Sequence, residues 1–323
     1  MKFDIGKKVL VIGRAGLDIY PEPPGTKIPD VTTFSAHLGG SAANTCVALS
    51  LLNIQSELVT CISDDAIGRF VINKLNHFKI GTKYCEKIDK TFQTQLAVVE
   101  TILDNNQSIL YRNNSCDLQL SIDLINKIPF DEYSAVMISG VALSSEPSRS
   151  AIFHAMQKAS SLNLPLIIDL DYRPYNWESD EIKSEVYKKI MHHMDIIIGN
   201  DLEFNIADNS NNGFKLAKNL IHNKPSIIIY KMGEKGSVVI TKESEQPFGI
   251  FDVKPLKPTG AGDAFNGGFL SSLIKGMQLT DAVRNGSACA AIVVTRVGCS
   301  SAMPTEKELH DFIEVQKKDI LLS

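Results

Sequence analysis

The stretch Lys257-Pro258-Thr259-Gly260-Ala261-Gly262-Asp263-Ala264 sets a carboxylate directly behind three residues with almost no side chain. The backbone N–H groups of Gly260, Ala261 and Gly262 can point at one anion, and the dipole of a small-residue helix expected from Ala264 to Lys275 adds partial positive charge there. A phosphate suits that end. A carboxylate repels it unless it takes a proton from an incoming nucleophile, so Asp263 reads as a general base; the alternative is an ordinary helix N-cap.

Other polar residues stand where open α/β sheets bind ligands. Asp18 follows the β-branched run Lys8 to Ile12, whose apolar continuity predicts a strand buried on both faces. Arg14 lies in the same connection. Gly39-Gly40-Ser41-Ala42-Ala43-Asn44 opens a helix in which Asn44 offers a donor and an acceptor to sugar hydroxyls; close packing of the helix on the sheet is the alternative use of those small residues. Three further strand ends carry Asp169-Leu170-Asp171-Tyr172-Arg173, Gly199-Asn200-Asp201-Leu202-Glu203 and Lys231-Met232-Gly233-Glu234-Lys235-Gly236. Jointly they are expected to line one crevice. The helix Thr280 to Arg296, rich in small residues around Asn285 and Ala288, is either closely packed or the wall for an adenine ring.

These residues need a scaffold, and the hydrophobic rhythm supplies one. Strands are predicted at Glu57 to Ile62, Ala135 to Ser139, Pro165 to Asp169, Asp195 to Gly199, Ser226 to Lys231 and Ser237 to Thr241. Helices are predicted at Asp64 to Lys79, Pro147 to Ser161, Asp180 to Met191, Asp201 to Ala207, Gly213 to His222 and Thr305 to Val315. Between about 91 and 120 the rhythm changes. Gln95 to Leu103 and Gln107 to Arg112 read as a hairpin turning at Asp104-Asn105-Asn106, which gives Arg112 a place to point inward or a solvated strand position. With the proline-rich segment near 14–38 it predicts a small antiparallel lid on a single domain spanning 1–323.

Composition narrows the function. A formal net charge of −4 over 323 residues, with scattered Lys and Arg, disfavours nucleic acid. Six dispersed cysteines with no metal-ligand spacing read as reduced thiols of a cytoplasmic chain. Neither a signal peptide nor a membrane span is expected. The Gly13-Arg14-Ala15-Gly16 turn lacks the Gly-x-Gly-x-x-Gly spacing and following helix of a dinucleotide fold, which disfavours a NAD oxidoreductase.

Gly39-Gly40 through Asn44, Asn200-x-x-Glu203 and Gly260-Ala261-Gly262-Asp263, in this order and spacing, resemble the ribokinase-like family of sugar kinases over nearly the whole chain. The resemblance implies a three-layer α/β/α core with a mostly parallel sheet and a small β-sheet lid. It implies that Asp263 deprotonates the acceptor hydroxyl while Gly260, Ala261 and Gly262 hold the charge on the transferred phosphoryl group. Asp18, Gly39, Gly40 and Asn44 would hold sugar hydroxyls; Lys231, Gly233 and Gly236 would flank the phosphates of ATP, with Asn285 and Ala288 near adenine. Asn200 and Glu203 would organise Mg²⁺ through waters. Longer runs, Ser139 to Arg149, Asp169 to Trp177 and Tyr230 to Gly236 among them, resemble the branch of the family that serves inositol catabolism. The implied activity is ATP-dependent phosphorylation of the terminal hydroxyl of 5-dehydro-2-deoxy-D-gluconate. Alternatives are 2-keto-3-deoxygluconate or fructose as acceptor, or a non-catalytic sugar-binding regulator, against which Asp263 argues.

Such an acceptor carries a carboxylate, for which a guanidinium is the usual partner. Arg173 is the first candidate, then Arg14 and Arg112. Asp171 departs from the asparagine common in related enzymes, so Arg173 faces either the substrate or an internal ion pair. Lys257-Pro258 is a second departure, standing where many relatives carry the aspartate of a monovalent-cation site. Either Lys257 provides the missing charge and turnover needs no K⁺, or its side chain points to solvent. Open edges of the small sheet make a homodimer through the lid a further expectation.

Overall fold

Isoleucine- and valine-rich runs become strands, and runs rich in small or amphipathic residues become helices, in a computed structural model that describes residues 2–103, 105–209, 212–316 and 320–322. The strands are β1 (Lys8–Ile12), β2 (Gly16–Glu22), β3 (Thr33–Gly39), β4 (Ser56–Ser63), β5 (Gly81–Ile88), β6 (Leu96–Val99), β7 (Ser108–Tyr111), β8 (Tyr133–Ser139), β9 (Leu166–Asp169), β10 (Ile196–Asn200), β11 (Ile227–Lys231), β12 (Ser237–Ile240) and β13 (Glu245–Phe248). The helices are α1 (Ser41–Leu51), α2 (Ala66–His77), α3 (Ile122–Asn126), α4 (Ser148–Ser161), α5 (Asp180–Met191), α6 (Asp201–Asp208), α7 (Gly213–Leu220), α8 (Ala261–Ile274), α9 (Leu279–Val294) and α10 (Glu306–Gln316). The expected α/β class holds, with a large, mostly parallel sheet, a smaller sheet and helices between the strands.

The described residues fall into two compact units. The first draws on Met1–Ile12, Leu118–Ile250 and Asp319–Ser323. Its strands run in the order β13-β12-β11-β10-β9-β8-β1. From β1 to β11 every pairing is parallel, and β12 and β13 close the edge antiparallel. Parallel interior strands are covered on both faces, which is why β8 and β9 are buried at every position. Each buried isoleucine of β9 or β10 contributes roughly 1.5–3 kcal/mol relative to exposure. Parallel register also stacks strand ends: Ile198 pairs with Asp169 and Asn200 with Lys231. One end of the sheet thereby collects the polar residues of three strands.

The second unit draws on Gly13–Asp117 and Phe251–Lys318. It holds the parallel pair β4–β5, a four-stranded sheet in the order β3-β2-β6-β7, and helices α1, α2, α8, α9 and α10. The small sheet is not wholly antiparallel as expected: β2 pairs antiparallel with β3 and parallel with β6, which pairs antiparallel with β7. Asp104 of the expected hairpin turn lies outside the described residues. Four elements escaped the sequence reading. β2 carries Pro21 and stands where a connection after β1 is expected. β5 alternates weakly because it is only partly buried, β13 is a four-residue edge, and α3 is a single turn and a half.

Candidate active site

In the second unit, α8 begins at Ala261, three residues before the sequence predicts. Gly260 is its N-cap with φ +87°, a conformation that costs an L-residue about 1–2 kcal/mol. A Cβ there would also stand 2.9 Å from Cys299 Sγ. No side chain caps this end, and Gly260, Ala261, Gly262 and Asp263 are all half-buried. Early amides of a helix have no partner within it, so this turn presents N–H groups to an anion. Asp263 is the third helical residue and not the N-cap, so the capping alternative fails. Its Oδ2 accepts a hydrogen bond from Asn44 Nδ2 at 2.8 Å.

Asn44 comes from α1, whose N-cap is Gly40. A carboxylate only accepts, so the amide nitrogen of Asn44 must face Asp263, and its Oδ1 is left buried with no hydrogen-bond partner among the described residues. An orphaned acceptor beside the candidate base is what a substrate hydroxyl would satisfy. Asp18 lies inside β2 and not in a loop past β1 as expected. Burial pushes its carboxyl up to about 6, against the lowering influence of Arg14 and Lys257. Gly39 makes that position habitable, because a Cβ on it would fall 1.9 Å from Asp18 Oδ1. Lys257 is fully buried and donates from Nζ to the Thr259 carbonyl at 2.5 Å, so the solvent-facing alternative is wrong.

Two of the three candidate arginines are buried in this unit. Arg14 donates from Nη1 to Gln95 Oε1 at 3.0 Å. Arg112 lies just past β7, where Nε and Nη2 reach Asp117 Oδ2 at 3.2 and 2.5 Å; Ser115 Oγ takes the other oxygen. Burial alone would raise the Asp117 carboxyl, but the Arg112 charge holds it below the usual range. Arg112 is therefore neither solvated nor poised with an uncommitted fork. Asn285 donates to Ser272 Oγ at 2.9 Å and Ala288 is buried, so the small residues of α9 serve close packing on α8.

In the first unit, Asn200 and Glu203 form a capping box on α6. Asn200 Oδ1 accepts from the Glu203 amide at 2.9 Å and Glu203 Oε2 from the Asn200 amide at 2.8 Å. Glu203 Oε1 accepts from the Tyr172 amide at 3.1 Å. Burial, then the neighbouring Asp169 charge, pushes the Glu203 carboxyl up to about 7. Lys231 Nζ stands 3.8 Å from Asp169. Among the described residues no three His, Cys, Asp or Glu side chains converge as a direct metal cage. The donor set fits Mg²⁺ held through its waters, since each Glu203 oxygen keeps a lone pair and the buried acidic pair Asp169 and Glu203 gains from a cation. Gly233 opens a short turn after β11 and Gly236 closes it.

Arg173 is held in an ion pair, Nη2 to Asp171 Oδ1 at 2.9 Å, and donates from Nη1 to the Tyr172 carbonyl at 2.6 Å. Asp171 also accepts from Ser139 Oγ at 2.7 Å. The Arg173 side chain as a whole stays 39 % exposed. Sequence reasoning missed Gln95, Asp117, Ser139 and the Thr259 carbonyl. Only Asp117, a carboxylate five residues from Arg112, carried any signal.

Residues 6–306 match the model of the pfkB family carbohydrate kinases. The chain is 35 % identical over 317 residues to a protein of Photobacterium profundum named 5-dehydro-2-deoxygluconokinase, covering 96 % of each. It is 33 % identical over 318 residues to 5-dehydro-2-deoxygluconokinase 1 of Bacillus cereus, again over 96 % of each. Among solved structures it superposes with TM-score 0.84 on a fructokinase of Xylella fastidiosa with bound ATP, at 21 % identity over 97 % of this chain and all of that one. An E. coli structure described as a ribokinase II in complex with ATP and Mg²⁺ gives TM-score 0.86 at 19 % identity, covering 96 % and 99 %.

Proposed function

This chain belongs to the pfkB family of carbohydrate kinases, and on that premise we propose that it phosphorylates the terminal hydroxyl of 5-dehydro-2-deoxy-D-gluconate to the 6-phosphate, using ATP with Mg²⁺. The observation that carries the reading is the Asp263 carboxylate in the first turn of α8, steadied by Asn44 beside an uncapped set of amides. The nearly full-length likeness to proteins named for this substrate supports the sugar acid over a neutral sugar.

In the second unit, Asp263 takes the proton of the acceptor hydroxyl as its oxygen bonds to the γ-phosphorus. The bond from that phosphorus to the β,γ-bridging oxygen breaks, and ADP leaves with the electron pair. The Gly260, Ala261 and Gly262 amides face the charge carried by the transferred group. Asp18, Gly39, Gly40 and Asn44 hold sugar hydroxyls; Asn285 and Ala288, spent on packing against α8, keep no part in binding adenine. In the first unit, Lys231, Gly233 and Gly236 serve the nucleotide phosphates, and Asn200 and Glu203 orient Mg²⁺ waters; the ion supplies charge neutralisation on the phosphates. Arg173 is the proposed carboxylate partner, with Asp171 as its fixed backstop and its partly exposed side chain turned to the acid. Arg14 and Arg112 are more deeply committed.

We read the chain as one cytoplasmic kinase domain whose small sheet is its lid. The edge strands β3 and β7 expose Phe34, Ile109 and Tyr111, which supports a homodimer through that sheet; a sedimentation measurement decides it. Among the described residues no helix is long and apolar enough to cross a membrane.

The test is ATP consumption with Mg²⁺ across 5-dehydro-2-deoxygluconate, 2-keto-3-deoxygluconate, fructose and ribose. Preference for the first acid is expected. Turnover confined to a neutral sugar would discard the substrate, and silence on all four would favour a sugar-binding regulator.

A further inference from the structure

Lys257 is a charged side chain among the largest fully buried ones, a group otherwise made of Tyr, Phe, Leu and Ile. An ammonium removed from water costs several kcal/mol unless partners compensate it. The compensation is specific. The Leu256 and Lys257 amides both bond to the Val294 carbonyl at the end of α9, at 2.7 and 3.3 Å, which anchors the segment. From there Nζ reaches back to the Thr259 carbonyl, one residue before the Gly260 N-cap. Burial lowers its basicity; Cys299, Asp263 and Asp18 oppose that, and near neutrality, where the Cys299 thiol carries no charge, the two carboxylates are the ones that act. An apolar residue of equal length would fill the space without this cost. The roles assigned under the proposed function leave Lys257 out.

A carboxylate at the phosphate end of α8 raises an electrostatic difficulty, because Asp263 opposes the dipole and the amides that attract the anion. Asp18 adds a second acid to the same region. A fixed positive charge within electrostatic reach of both, though in direct contact only with the Thr259 carbonyl among the described residues, offsets them without occupying the amides. Resting on the kinase reading above, we propose that Lys257 is a positioning residue of phosphoryl transfer: a cation built into the chain, which orients the α8 amides through the Thr259 carbonyl and offsets the Asp263 charge where other enzymes would draw a monovalent cation from solution.

The titratable and charged groups around this cluster are Arg14, Asp18 and Tyr20 on or before β2, His37 on β3, Asp263 on α8 and Cys299 after α9. Tyr20, with its hydroxyl 3.2 Å from Cys299 Sγ, and Cys299 are both pushed up by burial, Cys299 to about 12, so neither changes charge near neutrality. His37 is pushed down, chiefly by burial. Asp18 titrates at about 6, so rates compared at a fixed alkaline pH leave its charge constant.

The experiment compares the wild-type chain with Lys257→Met and Lys257→Arg in tetramethylammonium buffer containing Mg²⁺ and no other inorganic cation. Wild-type turnover should change less than about twofold when K⁺ is added. For Lys257→Met, kcat should fall about 10²-fold, while KM for the sugar acid moves less than about threefold. The acidic limb of its kcat–pH profile should move to higher pH, because the base has lost a neighbouring positive charge. Lys257→Arg should recover at least about tenfold of the loss, and added K⁺ or methylammonium should restore part of it to Lys257→Met. A well-folded Lys257→Met with wild-type kcat and acidic limb, or wild type that depends on K⁺, overturns the proposal. If Lys257→Met fails to fold, ¹³Cε lysine NMR of the wild type decides. Lys257 should be charged near pH 7, with a lower titration midpoint in Asp263→Asn; a neutral Lys257, or a midpoint indifferent to Asp263, overturns it. Wild type inactive on every acceptor would defeat the kinase reading instead, and the NMR result would still judge Lys257.

Discussion

Asn44 Nδ2 donates to Asp263 Oδ2 at 2.8 Å across 219 residues of sequence, joining the first turns of α1 and α8. One side chain is thereby fixed by the other. The carboxylate is held in a single orientation, which is what directed proton transfer requires.

Asp263→Asn keeps the shape of that contact and removes the basicity. Turnover should fall by roughly 10² or more, while calorimetric ATP binding changes little. Unchanged turnover would take Asp263 out of the mechanism.

Asn44→Leu removes this donor to the carboxylate. Loss of a hydrogen bond to a charged group predicts about 1.5–3 kcal/mol, which should appear mainly in kcat and KM for the sugar acid. Steady-state kinetics beside a thermal melt separates that loss from unfolding. A variant with normal kinetics would show that Asp263 needs no such donor.

Gly260→Ala forces an L-residue into the left-handed region and a Cβ to within 2.9 Å of Cys299 Sγ. The unfolding free energy should drop by about 2 kcal/mol or more. Turnover should suffer beyond this, because the cap sets the direction of the following amides. Denaturant titration with parallel rate measurements checks both.

Asp18 makes stability depend on pH in a direction its burial dictates. Its carboxyl titrates at about 6 in the folded chain against 3.8 in the reference state, so the folded protein holds a proton that the unfolded chain has lost. The contribution is fully present below about pH 4 and fades as pH rises through about 6, a change of about 3 kcal/mol. Melting wild type and Asp18→Asn from pH 4 to 8 should show the variant gaining relative stability across that window. A constant difference would mean that the buried carboxyl is not shifted.

Asn200 has two separable jobs. Asn200→Ala should cost about 1 kcal/mol by uncapping α6. Asn200→Ser restores a cap, and with it the melting temperature, but should leave turnover needing more Mg²⁺. Full recovery of the Mg²⁺ response by Ser would reduce Asn200 to a cap.

The strands β8 to β11 were legible because each is a short apolar run ending in a polar residue, and such runs are buried on both faces wherever helices alternate with them. The Gly260 to Asp263 turn was legible for a related reason: an amide nest needs consecutive residues without bulk, which is a property of local sequence. The α8 boundary was misjudged because Ala261 and Gly262 can enter a helix once Gly260 adopts a positive φ, and spacing does not reveal that dihedral angle. The mixed pairing of the small sheet was equally hidden, since β2 and β6 are distant in sequence and neither states its direction.

Residue types and spacing determined the α/β class and the turn that joins anion-binding amides to a base, and the resemblance of the motifs pointed to the family. Tertiary structure alone decided which charges are spent and on what. Arg112 goes to Asp117, Arg173 to Asp171, Asn200 and Glu203 to each other's amides, and Lys257 to the Thr259 carbonyl under a fully buried side chain. The energy of a charge depends on its distance from water and from an opposite charge, and packing sets both through residues that local spacing does not bring together.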